Sequence, residues 1–520
     1  MKSVVSILLL MCGLQTVAAQ ERSLFDSLAY RAEMQATISG GDHNPLWLNA
    51  NRYGLSSLKN TNGYVRGAIE RPLKLDDGRK WGIGYGVDVA VAAGFTSTLV
   101  VQQAFVEARW LKGTLTIGAK EQPMELKSQE LSTGGQTFGI NARPLPQVRL
   151  ALPDYWTIPH TKNWLSLKGH IAYGKTTDDG WQKDFTNQHH KYTEGMLYHS
   201  KAGYLRIGNS DEVLFSIELG GELATQFGGT SYRFRSDGVL DDVVHQEGGL
   251  KGMLRALVPG GKDAVDDDYS GGAGNSLGSW LGRFNFDCDE WGFSFYADHF
   301  FEDHSAMFLM DYDGYGEGSE WSVKKDRRYF LYALKDIQLG LEIRIMDAPW
   351  LDHILFEYLY SKYQSGPVYH DHDEVVADHL GGQDNYYNHS IYTGWQHWGQ
   401  VMGNPLYLSP LYNTDQSIEV KNNRSKAFHV GLSGDPFPCF HYRFLGTYLK
   451  GYGTYDTPYS DPRQTFSMLA EATYSFVNTS KLKGWSVRGA LGMDFGRLMG
   501  DNFGMQLTIA KSGILKRKKK

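Results

Sequence analysis

The sequence predicts an all-β fold, a transmembrane antiparallel β-barrel, and three observations predict it. Along residues 99–110, Ala104, Val106, Ala108 and Trp110 fall on one side of an extended strand, and Gln103, Phe105, Glu107 and Arg109 on the other, the period of two that a strand imposes. After the Leu111-Lys112-Gly113 link, Leu115, Ile117 and Ala119 alternate with Thr114, Thr116 and Lys120. The pair reads as a hairpin with one apolar and one charged face. The composition combines 13% aromatic residues, with 31 Tyr, 13 Trp and 60 Gly, with a mean hydropathy of -0.40. A polar average beside that many aromatics fits strands with one face in lipid, the other in a wet lumen, and aromatic girdles at both membrane boundaries. Finally, Lys2, the apolar stretch 4–14 and Val17-Ala18-Ala19 predict a signal peptide, 1–19, cut after Ala19.

Beyond that leader no run reaches the roughly 20 apolar residues of a membrane helix, so closed strands must do any spanning. A soluble sandwich explains a single hairpin equally well; the ends of the chain favour the barrel. No clean linker divides residues 20–520, which are therefore read as one barrel with internal plug segments and extracellular loops. Export implies the outer membrane, with its lipid and lipopolysaccharide as surroundings. The formal charge of -6 argues against a nucleic-acid binder. Cys288 and Cys439, the cysteines left after cleavage, are too few to staple a chain of this length.

Taken in order, residues 30–38 form the first strand candidate. The segment from Gly40 to Gly54 has no sustained period and reads as a plug, a periplasmic elaboration or an irregular extension packed on the wall. Residues 64–70 and 81–95 are strands around the Asp76-Asp77-Gly78 turn. The stretch 121–155, with its Pro144 and Pro146, reads as a structured loop or lumen insert rather than wall. Residues 165–175, 198–207 and 213–223 are strands, although 214–224 would also suit a short helix. Residues 263–275 carry a loop signal, followed by strands at 277–287 and 291–299. Further strand material lies at 330–346, and 350–360, with Leu351, Ile354, Leu355 and Tyr358, fits a helix as well as a strand. Alternation returns at 466–475, 485–495 and 503–509. The basic end, Lys516 to Lys520, replaces the terminal aromatic of many outer-membrane barrels.

Three clusters invite a chemical reading. His299, Glu302 and His304 lack the helical placement of a zincin and a third strong ligand. Residues 311–322 resemble a calcium loop, except that Ser322 stands where the bidentate Glu belongs. The acidic loop around Asp371, Asp373 and Glu374 has no paired nucleophile. No metal, no cofactor and no catalytic residue is therefore assigned, and the chain reads as a non-enzyme. The most specific interior stretch is 386–405. If 388–401 is a strand, Ser390, Tyr392, Gln396, Trp398 and Gln400 share a face. Aromatic planes beside amides suit sugars, which makes Tyr392, Gln396, Trp398 and Gln400 candidates for polysaccharide binding; a lumen-packing layer is the plain alternative.

Two sets of wall positions follow from the alternation. Val106, Ala108, Trp110, Met468, Tyr474, Val487 and Leu507 should face lipid. Glu107, Arg109, Lys168, Glu471, Arg488 and Asp494 should belong to a mixed-sign lumen network, because isolated buried charges are expensive.

Several motifs together resemble the Wzi capsule-assembly family, in its Bacteroidetes-type form. They are Gly41-Asp42-His43-Asn44-Pro45-Leu46-Trp47 with Asn51-Arg52-Tyr53-Gly54-Leu55, Asn141-Ala142-Arg143-Pro144-Leu145-Pro146-Gln147, and Tyr198-His199-Ser200-Lys201-Ala202-Gly203-Tyr204. Phe301-Glu302-Asp303-His304-Ser305 and Asn385-Tyr386-Tyr387-Asn388-His389 with Gly394-Trp395 complete the set. The resemblance implies a barrel of about eighteen antiparallel strands, partly occluded, that holds capsular or other surface polysaccharide and assists capsule assembly without catalysis. A passive or selective solute channel, or a structural partner in an envelope protein complex, explains the same wall.

Overall fold

Eighteen strands form one antiparallel sheet that closes on itself. The computed structural model describes residues 27–515 except 210–211, 259–273, 303–309, 313–318, 320–322, 324–326, 330–335, 365–383 and 478–480. The first nine strands are β1 Leu28–Gly40, β2 Thr61–Arg71, β3 Trp81–Ala93, β4 Leu99–Trp110, β5 Gly113–Ala119, β6 Gln147–Thr157, β7 Leu165–Lys175, β8 Leu197–Ile207 and β9 Phe215–Phe227. The others are β10 Asn275–Asp287, β11 Trp291–Glu302, β12 Ile337–Ile345, β13 His353–Tyr360, β14 Ser425–Phe437, β15 Phe440–Gly453, β16 Pro458–Ser475, β17 Trp485–Gly496 and β18 Asn502–Leu515. Each pairs with its neighbour in sequence, and β1 closes on β18 from Leu28↔Leu515 to Gly40↔Phe503. Closure leaves no unpaired edge, the condition for crossing a membrane with strands.

Side-chain alternation sets inside and outside. On β16, Thr465, Ser467, Leu469 and Glu471 are buried, while Phe466, Ala470 and Tyr474 are exposed. Val106, Trp110, Tyr474 and Leu507 stand exposed on the outer face, and Ala108, Met468 and Val487 share its parity. A register shift between Asp88 and Val89 on β3 lets Val100 and Gln102 point inward while Val101 stays outside, as a bulge does.

The connections divide sharply by length. At one end lie short turns, such as 111–112 and 438–439; at the other lie 41–60, 120–146, 228–274 and 361–424. Short periplasmic turns and long extracellular loops orient outer-membrane barrels, so the long-loop end faces outward. Aromatic rings mark both boundaries. Trp81 and Trp110 stack at 5.9 Å near the short turns, and Phe428, Tyr448, Phe466 and Phe495 run across the upper wall as register partners. From Phe466 to Tyr474 the strand covers roughly 27 Å at about 3.4 Å per residue. A tilt of about 40° leaves about 20 Å across the membrane, near the apolar height of such barrels.

Several expectations change. Residues 350–360 do not form a helix: His353–Tyr360 is strand β13, paired on both sides. Its Leu355 and Leu359 point into a packed lumen while Phe356 faces out, so both faces are apolar and period two is blurred. The helical option at 214–224 likewise gives way to β9. The latter part of 121–155 is wall, strand β6, and its register shift between Leu152 and Trp156 accommodates Pro153. The 388–401 strand does not form; it is replaced by a loop folded into the barrel, as described below. Strands β14 and β15 have no counterpart among the sequence expectations. The acidic runs 263–268 and 370–374, along with His304 and residues 313–318, lie outside the described residues.

Candidate functional site

Three loops from the long-loop end turn inward: 41–60, 120–146 and 384–424. In the first, Leu46–Asn49 makes a single helical turn. Pro45 precedes it without a side-chain cap, and the Asp494 carboxylate of β17 accepts the Leu46 N–H at 3.1 Å and 3.3 Å instead. A carboxylate at that position satisfies a free N–H and complements the positive end of the turn. Leu46, Trp47 and Leu48 then bury themselves against Leu355, Leu359, Leu445, Leu449 and Leu469 of the inner wall. The Trp47 indole donates to the Thr447 hydroxyl at 3.0 Å. Leucines on an inner barrel face are stable only if something covers them, and this loop does.

Inward carboxylates of the wall hold the second loop. Glu357 accepts the Ser132 hydroxyl at 2.6 Å and the Thr133 N–H at 2.8 Å. Glu342 accepts the Ser128 N–H at 3.1 Å. Lys127 forms an ion pair with Asp298 and donates to Gln338 at 2.7 Å. The third loop packs Tyr387 parallel to Phe300, centroids 5.6 Å apart, and its Tyr407 hydroxyl donates to Gln136 Oε1 at 2.9 Å. Asn141 joins all three loops: its Oδ1 accepts the Asn51 N–H at 3.1 Å, and its Nδ2 donates to the Val401 carbonyl at 3.0 Å. Gly54 has a φ of +67°, and a Cβ there would stand 2.5 Å from the Arg143 nitrogen, so the loops approach at backbone distance.

The six lumen-charge candidates all face inward but form local groups, not one network. Glu107 pairs with Lys120 at 2.6 Å, and Arg109, near the short-turn end, pairs with Asp77 at 2.6 Å. Lys168 pairs with Glu125 and lies over the Tyr155 ring at 4.4 Å. Glu471 receives Arg52 at 2.7 Å and Arg443 at 2.8 Å, with Arg488 adding to the positive field around it. Asp494 serves the helical turn.

The four polysaccharide candidates do not share a strand face. Gln396–His397 and Gln400–Val401 form a miniature hairpin whose two turn residues, Trp398 and Gly399, have φ of +55° and +77°, the two-residue turn geometry that favours Gly at its second position. Tyr387 and Gly394, at +67° and +73°, further break any extended run. Tyr392 is buried with Met196 and Ile391. Gln396 Oε1 accepts the Gly399 N–H at 2.8 Å, and Gln400 Nε2 donates to the Ser56 hydroxyl at 3.1 Å. Trp398 alone of the four is not fully buried. The Arg143 guanidinium lies 4.4 Å over its ring, a cation–π arrangement, and donates to the Thr96 hydroxyl at 2.9 Å. Burial pulls the Arg143 group down to about 10, leaving it charged at neutral pH. Arg143 Nε and Gln400 Oε1 are buried without partners among the described residues. Trp181 lies beside Gly399, where a Cβ would approach its ring to 2.6 Å. Arg143 was visible in the Asn141-to-Gln147 motif as a residue of family resemblance, but nothing local revealed its contact with a tryptophan 255 positions on.

Among the described residues no group of three His, Cys, Asp or Glu side chains is placed to hold a metal ion. A closed antiparallel barrel with a lipid-facing apolar band and inward-folded loops defines the class: this is an outer-membrane β-barrel protein. No protein family and no curated protein matches the chain by sequence. Among solved structures it is similar to Wzi of Escherichia coli, an outer-membrane protein involved in group 1 capsule assembly and described as a carbohydrate-binding β-barrel. The TM-score is 0.51 at 10% identity, over 92% of this chain and 83% of that one. Pseudomonas aeruginosa OprD aligns at a TM-score of 0.44 and 10% identity over 94% and 95% of the two chains. Acinetobacter baumannii OccAB1 does so at 0.44 and 10% over 96% and 99%. At these identities the likeness is one of fold.

Proposed function

We propose that this barrel is a non-catalytic, Wzi-type surface protein that holds capsular or another surface polysaccharide at its long-loop mouth. The observation that carries the reading is the Trp398 hairpin tip: an incompletely buried indole, a guanidinium stacked on it and unpaired buried polar atoms beside it. A sugar ring stacks its apolar face on such an indole and hydrogen-bonds at its edge. The cation gives acidic sugars a counter-charge. Gln396 and Gln400 belong to the hairpin itself, Gln396 closing its turn through the Gly399 N–H and Gln400 tying it to Ser56, while Tyr392 is buried with Met196 and Ile391. The carbohydrate-binding description of the Escherichia coli barrel agrees with this reading in kind.

A selective solute channel is the second reading, and the margin between plug and wall favours it. There the Lys168 and Arg344 side chains of the wall are 13% and 29% exposed and the Glu125 side chain of the plug is 28% exposed, so charged, wetted groups line both sides of this margin. One pair of measurements separates the two: binding of the purified barrel to an array of surface polysaccharides, with short soluble glycans as controls, and its conductance in planar bilayers. Retention of a polymer with little steady conductance supports the first reading. Stable conductance without retention replaces it with the second, and neither property leaves an envelope-protein partnership as the function.

A further inference from the structure

The helix Gly249–Leu257 lies outside the barrel, against β8 and β9. Gly252 and Ala256 face the wall, and a Cβ at Gly252 would meet the Phe227 ring at 3.2 Å. The Tyr173 hydroxyl donates to the Met253 carbonyl at 2.8 Å. The Lys201 ammonium donates to the carbonyls of Ala256 and Leu257, a cation at the negative end of the helix. Both contacts come from lipid-side positions of the wall. Tyr173 shares the parity of Ile171, which is 46% exposed, and Lys201 is the register partner of Ile171.

The opposite side of the helix is bare and apolar. Leu250, Leu254 and Val258, spaced one turn apart, are 80%, 65% and 70% exposed. Lys251 and Arg255 flank them, held by Glu247 at 3.2 Å and 2.7 Å. An apolar arc bordered by cations is the pattern of a helix lying in a membrane interface. Beneath it a groove of about 350 Å³ runs between Met253, Tyr173 and Phe227 on one side and Ile117 and Val148 on the other, with Lys175 at its rim. Ile117 and Val148 are exposed on the outer wall, so the groove continues the lipid-facing surface.

We propose that this helix is an outer-leaflet anchor and that the groove beneath it seats an acyl chain of lipopolysaccharide, with Lys175 and Lys251 supplying cations at the level of its phosphates. The occupant follows from position. The helix stands at the long-loop end, the groove is continuous with the exposed apolar wall, and Lys251 and Arg255 border the apolar arc, as cations do beside the phosphates of a membrane interface.

The test uses the full barrel with Cys288→Ser and Cys439→Ser, and an environment-sensitive fluorophore on Leu254→Cys, in vesicles containing lipopolysaccharide. Quenching by spin-labelled acyl chains should exceed quenching by aqueous iodide at least threefold; dominant iodide quenching overturns the anchor. In a second arm, Lys175→Glu with Lys251→Glu, checked for folding by heat-modifiable gel mobility, should retain at least threefold less lipopolysaccharide through detergent extraction than the unsubstituted barrel. Equal retention overturns the lipid seat, as does equal retention of phospholipid from vesicles that lack lipopolysaccharide.

Discussion

Arg52 on an inward loop and Glu471 on β16 meet at 2.7 Å inside the barrel, and the second Glu471 oxygen is taken by Arg443 at 2.8 Å. One wall carboxylate is therefore shared by two guanidiniums, one from the plug and one from the wall. Glu471→Gln keeps the shape and removes the charge, leaving both arginines without their partner. Stability should fall by roughly 3 to 5 kcal/mol, the usual cost of breaking a buried pair from one side. Urea unfolding in detergent, followed by tryptophan emission, measures it, and an unchanged midpoint would show that the plug is held by other contacts.

The lipid face should show a depth profile on a single strand. Trp485 and Phe495 bracket β17 at the two boundaries, Val487 lies next to the first, and Leu491 stands nearer the middle. Leu491→Arg should cost about 2 to 4 kcal/mol and Val487→Arg about 1 kcal/mol, because the penalty falls toward the interfaces. Folding titrations into lipid vesicles measure both. The reverse order would move the membrane band toward the short turns.

At the mouth, Trp398→Ala should weaken polysaccharide retention by at least about 2 kcal/mol, roughly thirtyfold, if the indole anchors the sugar. Arg143→Gln should weaken acidic polymers more than neutral ones, and the difference should shrink with added salt. Surface plasmon resonance on immobilised polysaccharide reads both. Equal affinity for the folded Trp398→Ala barrel removes the hairpin tip from the site.

Acid should loosen the third loop. His389 Nδ1 accepts the N–H groups of Ile391 at 3.0 Å and Tyr392 at 3.3 Å, so it works only when unprotonated. Burial, and then the nearby Lys191 ammonium, lowers the His389 group to about 3 from 6.5. Between those values the unfolded loop binds the proton and the folded loop does not, so stability rises with pH across the window and drains away as pH falls from about 6.5 toward 3. Hydrogen exchange of residues 385–401 against pH reads this directly, and His389→Gln should flatten the profile.

The wall was legible wherever one strand face met lipid and the other met polar lumen, as on β4, β5, β16, β17 and β18. It was least legible where the plug presses leucines against the inner face. Strands β13 and β15 carry Leu355, Leu359, Leu445 and Leu449 inward and aromatics outward, and alternation cannot mark a strand that is apolar on both sides. The hairpin at Trp398 hid for another reason: a positive φ at a bulky residue is uncommon, so an extended reading was the natural one. For the charged candidates, parity along a strand decides the side on which each side chain stands. Their partners, Arg52 for Glu471 and Glu125 for Lys168, come from inward loops whose destination no local pattern encodes.

The seam between β1 and β18 joins residues 28–40 to residues 503–515, the two extremes of the described chain. Closure of the barrel must therefore wait for its last strand. The first strand waits, with one side of its backbone unpaired, until the last has been made and delivered, and in that interval it is an open template for other strands. The loop that follows β1 also needs β17 to cap its helical turn and β16 to neutralise Arg52. The lumen is thus completed by the same late-arriving strands that shut the wall, and a chain truncated before β16 would lose its filling together with its closure.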